Sequence, residues 1–541
     1  MSCDAPTGSL SNQTLPLGDG VSDRYYFLYV PPTYDCSAPT PLLVDFHGTA
    51  GGTTPEEAYQ LDALVALADA ENAIVVRPRS RSSEEGGLGQ IYRWDQNPGD
   101  VPRNIEFTKR LVADLRHKYH IDPARTYASG FSSGSNMAAQ FLDKDEIGLF
   151  KGIAPIAGGT FSTSVASLPF LSGPDAPRVY LATGYRDYLL PARRELESDL
   201  VARGLAPERL WVREYDTGHD LYEWHFPELF SFLDRGERTG DEPIGADFTI
   251  ETPPTTASLL AAAKLANGEL LVTTADGSIL RRAQSGTWSS ASGPLAEPIA
   301  WTGVCASPLG GVFAVGEGAF LRSVDGTTWA PPATLPELGM VAFGATMANG
   351  VACGPDGSIV LSGYWSSLRS DDQGATFEDV VADAGGYEAQ IAALAASNDG
   401  HLIAAGYYDF LGGGLMASGN ISVAGNGATA EWWNDVVFAS DGIAFAVGDR
   451  GALARSDDAG ATWVALDSGT TEDLYAVDAL GPNTVVAGGR RGAIVVSLDG
   501  STFAPQSLGA DRFIGAVVLL DANTALVLGE RGLAARLTLA Q

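Results

Sequence analysis

Along the chain the apolar residues follow two different rhythms, and the change comes near residue 240. Before it, short and nearly continuous apolar runs alternate with stretches of helical period. Pro41-Leu-Leu-Val-Asp-Phe-His-Gly48, Arg178-Val-Tyr-Leu-Ala-Thr-Gly184 and Leu210-Trp-Val-Arg-Glu-Tyr215 read as buried strands. Residues 137–142, 193–200 and 221–233 read as helices. Strand and helix in alternation predict an α/β domain, a mainly parallel sheet with helices on both faces.

Beyond residue 256 the helical period vanishes, and short strands separated by glycine turns repeat. Four segments align: Arg322-Ser-Val-Asp-Gly-Thr-Thr-Trp329, Arg369-Ser-Asp-Asp-Gln-Gly-Ala-Thr-Phe377, Arg455-Ser-Asp-Asp-Ala-Gly-Ala-Thr-Trp463 and Val496-Ser-Leu-Asp-Gly-Ser-Thr-Phe503. Worn copies lie around Ser285-Gly-Thr-Trp288 and around Asn426-Gly-Ala-Thr429 with Trp432. From Trp288 to Phe503 the aromatic recurs on average every 43 residues, the length of one four-stranded propeller blade. Six such units and a further Phe513–Leu539 unit predict seven blades. The last unit lacks an outermost strand, which residues 246–251 supply if they close the ring. Between the two rhythms, proline, glycine and charge without period mark a linker. The expected organisation is an α/β domain over 1–236, a linker over 237–256 and an all-β propeller over 257–541.

The first domain carries the chemistry. Gly130-Phe131-Ser132-Ser133-Gly134 lies between a β-prone segment and a helix, which is G-x-S-x-G in the strand–turn–helix setting that presents a nucleophilic serine. An acid and a histidine follow in the order this arrangement needs, each just past a strand. Asp187 is the candidate orienting acid and His219 the candidate general base, with Asp216 and Asp220 as second choices for the acid. Upstream, His47-Gly48-Thr49 ends a strand where a second oxyanion donor belongs, so the N–H groups of Thr49 and Ser133 are the candidate oxyanion hole. His47 is expected to tie the loop together. Trp94, after the third strand, and Tyr185 and Tyr188, around the acid loop, are candidate substrate contacts, since aromatic rings suit an aromatic or polymeric ester.

Three stretches make a resemblance specific. Arg24-Tyr-Tyr-Phe-Leu-Tyr-Val-Pro-Pro-Thr-Tyr34, Tyr119-His-Ile-Asp-Pro-Ala-Arg-Thr-Tyr-Ala-Ser-Gly-Phe-Ser132 and Gly218-His219, with the Phe46-His-Gly48 turn, resemble secreted α/β-hydrolase esterases grouped with polyhydroxybutyrate depolymerases and feruloyl or acetylxylan esterases. The resemblance covers about residues 1–235. It departs at Ser135-Asn136, where a further glycine is common, and at Tyr185-Arg186, which replaces a small polar pair. It implies ester hydrolysis through an acyl-enzyme, with no metal or organic cofactor. The repeated S-x-D-x-G-x-T-W box resembles the Asp box of sialidases, and the array resembles propellers related to photosystem II assembly factors. That likeness implies a binding module with structural Asp residues.

Charge and cysteines narrow the rest. The chain has 34 basic and 66 acidic residues, net −32, which disfavours nucleic acid and anionic membrane surfaces. No apolar run is long enough to span a bilayer. Of the four cysteines, Cys3 and Cys36 are expected to form a disulfide, as in an exported protein. Cys305 and Cys353 are read as two buried thiols in preference to a bridge between blades. The start of the chain carries no charged-then-apolar leader, so a signal peptide is expected either to have been removed or never to have existed; the expected location is secreted, periplasmic or extracellular. The expected function is a secreted serine esterase acting on an ester substrate, an insoluble polymer or cell-surface polysaccharide among them. A hydrolase-plus-propeller peptidase and a binding protein with a vestigial hydrolase are the alternatives.

Overall fold

The computed structural model describes residues 4, 11–15, 24–51, 60–80, 82–84, 90–94, 101–142, 146–159, 171–292, 299–317, 319–330, 333–334, 348–363, 367–380, 382–383, 391–406, 411–416, 421–423, 425–427, 430 and 432–539. The chain divides into two compact units, Met1–Arg238 and Thr239–Gln541.

The first unit is built on one eight-stranded sheet. Its strands are β1 (Ser11–Leu15), β2 (Arg24–Tyr29), β3 (Thr40–Phe46), β4 (Ile74–Pro78), β5 (Ile121–Phe131), β6 (Gly152–Ile156), β7 (Arg178–Gly184) and β8 (Leu210–Tyr215). They lie in the order β1-β2-β4-β3-β5-β6-β7-β8. The pairs β1/β2 and β2/β4 are antiparallel, and every pair from β4 to β8 is parallel. Among the described residues five helices cover the sheet: α1 (Leu61–Glu71), α2 (Val101–Lys118), α3 (Ser133–Gln140), α4 (Leu190–Ala202) and α5 (His225–Arg235).

Strand periodicity sorts the core into two layers. Leu42, Val44 and Phe46 of β3 and Val179 and Leu181 of β7 pack with Phe107 and Leu111 of α2, Met137 of α3 and Leu196 of α4. The intervening Leu43, Tyr180 and Ala182 pack instead with Leu64 of α1 and Phe226, Phe230 and Leu233 of α5. Because β3 and β5 to β8 run parallel, the loops leaving their C-terminal ends gather on one edge, where such sheets place their ligands.

The second unit is a seven-bladed propeller. Six four-strand antiparallel blades span 259–292, 303–334, 348–380, 391–423, 433–465 and 474–507. Short parallel strands at Ala382–Asp383 and Gly425–Gly427 extend the fourth and fifth blades. The seventh joins Ile514–Asp521, Thr524–Gly529 and Leu533–Thr538 with Phe248–Ile250, which pairs antiparallel as Phe248↔Leu537 and Ile250↔Ala535. The ring is closed by a strand that precedes the first blade in sequence. Glu251 clasps the seam: it accepts from Arg282 at 2.6 and 2.8 Å and from Trp288 Nε1 at 2.7 Å, and pairs with Arg536 at 3.0 Å. Burial alone would raise its pKa, yet these donors hold the carboxyl below its usual range.

The repeated aspartates build hairpin turns. Asp325 accepts the N–H groups of Thr327 and Thr328, and Asp499 those of Ser501 and Thr502. The aromatics that follow pack between blades, Trp463 with Ile403 and Leu411 of the preceding sheet and Phe503 with Phe445 and Leu453.

Two expectations change. The segment 237–256 has the composition of a linker, but its polar groups are engaged. Arg238 donates to Pro207 O and Leu210 O within the first unit. Asp241 pairs with Arg531, Gly240 O accepts from Arg512, and Gly245 N–H donates to Leu508 O within the propeller. Charge and glycine here serve attachment to blades instead of freedom. Cys305 and Cys353 are bonded to each other, with Cα atoms 5.8 Å apart. They lie on the innermost strands of the second and third blades, one residue away from equivalent positions, and stacking of the two blades brings them together. Cys36 is also disulfide-bonded; Cys3, its expected partner, lies outside the described residues.

Candidate active site

Of the loops that leave the C-terminal edge of the sheet, those after β3, β5, β7 and β8 carry the candidate groups. β5 ends at Phe131, and Ser132 follows with φ 54° and ψ −117° before α3 begins. A non-glycine residue in that region is strained, and the neighbours hold it there. Ser132 N–H donates to Ile156 O at 3.0 Å, while Ser135 donates to Ser132 O through its N–H at 3.0 Å and its hydroxyl at 2.6 Å. The glycines of the motif are needed for space. A Cβ on Gly130 would overlap Gly134 O, and one on Gly134 would overlap Phe46 O.

His219 lies four residues beyond β8, and its Nε2 is 3.0 Å from Ser132 Oγ. Its Nδ1 is 2.9 Å from Asp187 Oδ1, three residues beyond β7. A carboxylate can only accept, so Nδ1 carries the proton and Nε2 is left to accept from the serine hydroxyl. Asp187 is fully buried, and the same oxygen accepts Leu189 N–H at 2.8 Å. The two second choices are occupied elsewhere. Asp220 Oδ1 accepts Leu221 N–H at 2.7 Å, and Asp216 faces Arg186.

The loop after β3 is fixed by His47, which is buried. Its Nδ1–H donates to Gly48 O at 2.6 Å and its Nε2 accepts Ser80 N–H at 3.1 Å. Burial pushes its pKa down to about 3, so the ring is neutral. Thr49 is exposed two residues on, and Ser133 is the first residue of α3.

The three aromatic candidates separate. Trp94 is 2% exposed, its ring packed on Phe46 at 5.1 Å and His47 at 5.5 Å. Tyr185 is 1% exposed, and its N–H donates to Tyr215 O at 2.7 Å. Tyr188 is half-buried, with its ring 4.5 Å from the imidazole of His219. Other residues at the site carried no chemical signal in the sequence. Phe131, the variable position before the serine, places its ring 5.0 Å from His219. Asn136 accepts Gly159 N–H at 2.9 Å and steadies the loop after β6. Among the described residues no three His, Cys, Asp or Glu side chains cluster as metal ligands, and no helix is long and apolar enough to cross a membrane.

No family model matches the chain. Among curated proteins it is similar to poly(3-hydroxyalkanoate) depolymerase C of Paucimonas lemoignei, 29% identical over 181 residues, 32% of this chain and 41% of that protein. It is similar to feruloyl esterase B of Piromyces equi, 31% identical over 99 residues, 18% of this chain and 17% of that one. These relatives are a depolymerase and an esterase. The chain spans less than half the length of either. A solved structure of YCF48 bound to D1 peptide superposes with a TM-score of 0.44 at 19% identity, over 56% of this chain and 99% of that one.

Proposed function

We propose that this chain is a serine carboxylic-ester hydrolase whose first unit is an α/β-hydrolase domain. The observation that carries the reading is the hydrogen-bonded line Asp187–His219–Ser132 on the edge where the parallel strands end. The similarity to a depolymerase and an esterase supports the same class. In the proposed reaction His219 Nε2 takes the proton of Ser132 as Oγ attacks the ester carbonyl. His219 then returns that proton to the departing alcohol, and water, activated by the same base, releases the acid from Ser132. Asp187 holds the imidazole in the required tautomer and stabilises its cation. The N–H groups of Ser133 and Thr49 receive the oxyanion, each contributing about 3 kcal/mol to the transition state. The machinery asks for no cofactor.

The substrate class we favour is a polymeric or aromatic ester, with the propeller holding the enzyme on an insoluble polyester or cell-surface polysaccharide. A bridge between two blades and a bonded Cys36 suit export to an oxidising compartment, secreted or periplasmic. The test is turnover of p-nitrophenyl esters beside proline amides, with methyl ferulate, acetylated xylan, polyhydroxybutyrate and an aromatic polyester as further substrates. Esters should be cleaved and amides spared, and Ser132→Ala should retain less than about a thousandth of kcat. Amide cleavage in preference to esters would make the chain a peptidase.

A further inference from the structure

The loops that carry Asp187 and His219 are tied to each other directly beneath the site. Tyr185 N–H donates to Tyr215 O at 2.7 Å, and Arg186 N–H donates to Thr217 O at 3.0 Å. The loops approach so closely that a Cβ on Gly184 would overlap Thr217 O. Across this seam Arg186 Nη2 donates to Asp216 Oδ2 at 3.1 Å, and Arg186 Nε lies 2.9 Å from Asp216 Oδ1. Both residues are buried, at 7% and 2% exposure. Arg186 immediately precedes the acid, and Asp216 stands three residues before the histidine.

We propose that Arg186 and Asp216 form a latch that sets the distance between Asp187 and His219, making both of them positioning residues for the reaction. The inference rests on the triad reading above. One hydrogen bond from Nη2 and the close approach of Nε hold the guanidinium against the carboxylate and fix the separation of the two loops. Strand β7 delivers one half of the latch and β8 the other. Any slip between the two loops would therefore move the acid relative to the imidazole. Burial raises the pKa of Asp216 and Arg186 pulls it back, as expected of a carboxylate retained inside only because a cation faces it. The latch does not touch the reacting atoms; it acts through Asp187.

That last statement gives the experiment. In the full-length chain, kcat and KM for a p-nitrophenyl ester are measured for the wild type, Asp216→Asn, Asp187→Asn and the double variant, with thermal unfolding of each. Asp216→Asn should lower kcat about tenfold or more, since small displacements at a catalytic group are costly, with KM changed less than about twofold. In the Asp187→Asn background the same substitution should change kcat less than about twofold, because there is no longer an acid to misplace. An equal fold-loss in both backgrounds, tracking the loss of thermal stability, would reduce the pair to a structural contact and overturn the proposal. So would full activity in Asp216→Asn. If that variant does not fold, Arg186→Lys supplies the same comparison, keeping the charge but losing the guanidinium. A wild-type chain without ester turnover, or an Asp187→Asn variant with undiminished kcat, sinks the triad reading itself and the latch with it.

Discussion

Ser132 occupies a backbone conformation that only its surroundings make tenable, and the two side chains in line with it are held just as firmly. Asp187 is fully buried with one oxygen shared between His219 and Leu189 N–H. On the proposed mechanism His219→Ala should cost nearly as much kcat as loss of the serine. Asp187→Asn should cost about 10⁴-fold, because an amide can donate to Nδ1 and force the wrong tautomer. Single-turnover kinetics on a soluble ester would check the order, and an Asp220→Asn variant more damaged than Asp187→Asn would reassign the acid. That these three side chains would meet was legible in the sequence, because each follows a strand end in a recognisable order. Arg186, Ser135 and Asn136 were not legible in the same way. Their roles come from what lies opposite them in space, and that is set by strand order, which local pattern does not encode.

Among the elements, the loop after β3 shows how a buried group fixes a site and ties it to pH. The unfolded chain protonates His47 near 6.5, while the folded chain keeps the ring neutral down to about 3. As pH falls through that window the unfolded state binds a proton the folded state does not, so His47 weakens the fold progressively below about pH 6.5. Denaturant midpoints between pH 7 and 4 should fall in the wild type, and His47→Gln should flatten the slope. A slope unchanged by the substitution would place the acid sensitivity elsewhere. Three of the helices of the first unit were anticipated and those at Leu61–Glu71 and Val101–Lys118 were not, and the helix expected over 137–142 begins at Ser133, because the serine turn itself nucleates it. Likewise the helix expected over 221–233 starts at His225.

For the whole molecule, the period of 43 residues was enough to anticipate seven blades and the strand that completes the last. It missed the bridge, since two cysteines 48 residues apart on adjacent blades are neighbours only once the blades are stacked. The bridge spans 48 residues, and on chain-entropy grounds should stabilise the propeller by about 4 kcal/mol. Cys305→Ser with Cys353→Ser should therefore lower the melting transition of the propeller and spare ester turnover; coupled loss of both would tie the bridge to catalysis. Residues 1–238 expressed alone should hydrolyse small soluble esters at close to the full-length rate, since the triad and its strands all precede Thr239. A folded but inactive fragment would show that the propeller shapes the site.

The closing strand has a mechanical meaning. Phe248–Ile250 belongs to the propeller's seam, yet it is also the part of the ring nearest in sequence to the first unit. Any tension along the covalent connection, as when one unit is held on a solid and the other is dragged by flow, enters the propeller there. The load meets the bonds of Gly240, Asp241 and Gly245 to the last blades first, then the three-residue strand, then the Glu251 clasp. The joint that completes the ring is thus the joint that bears the pull, and its short row of bonds sets how hard the two units can be tugged before the propeller begins to open.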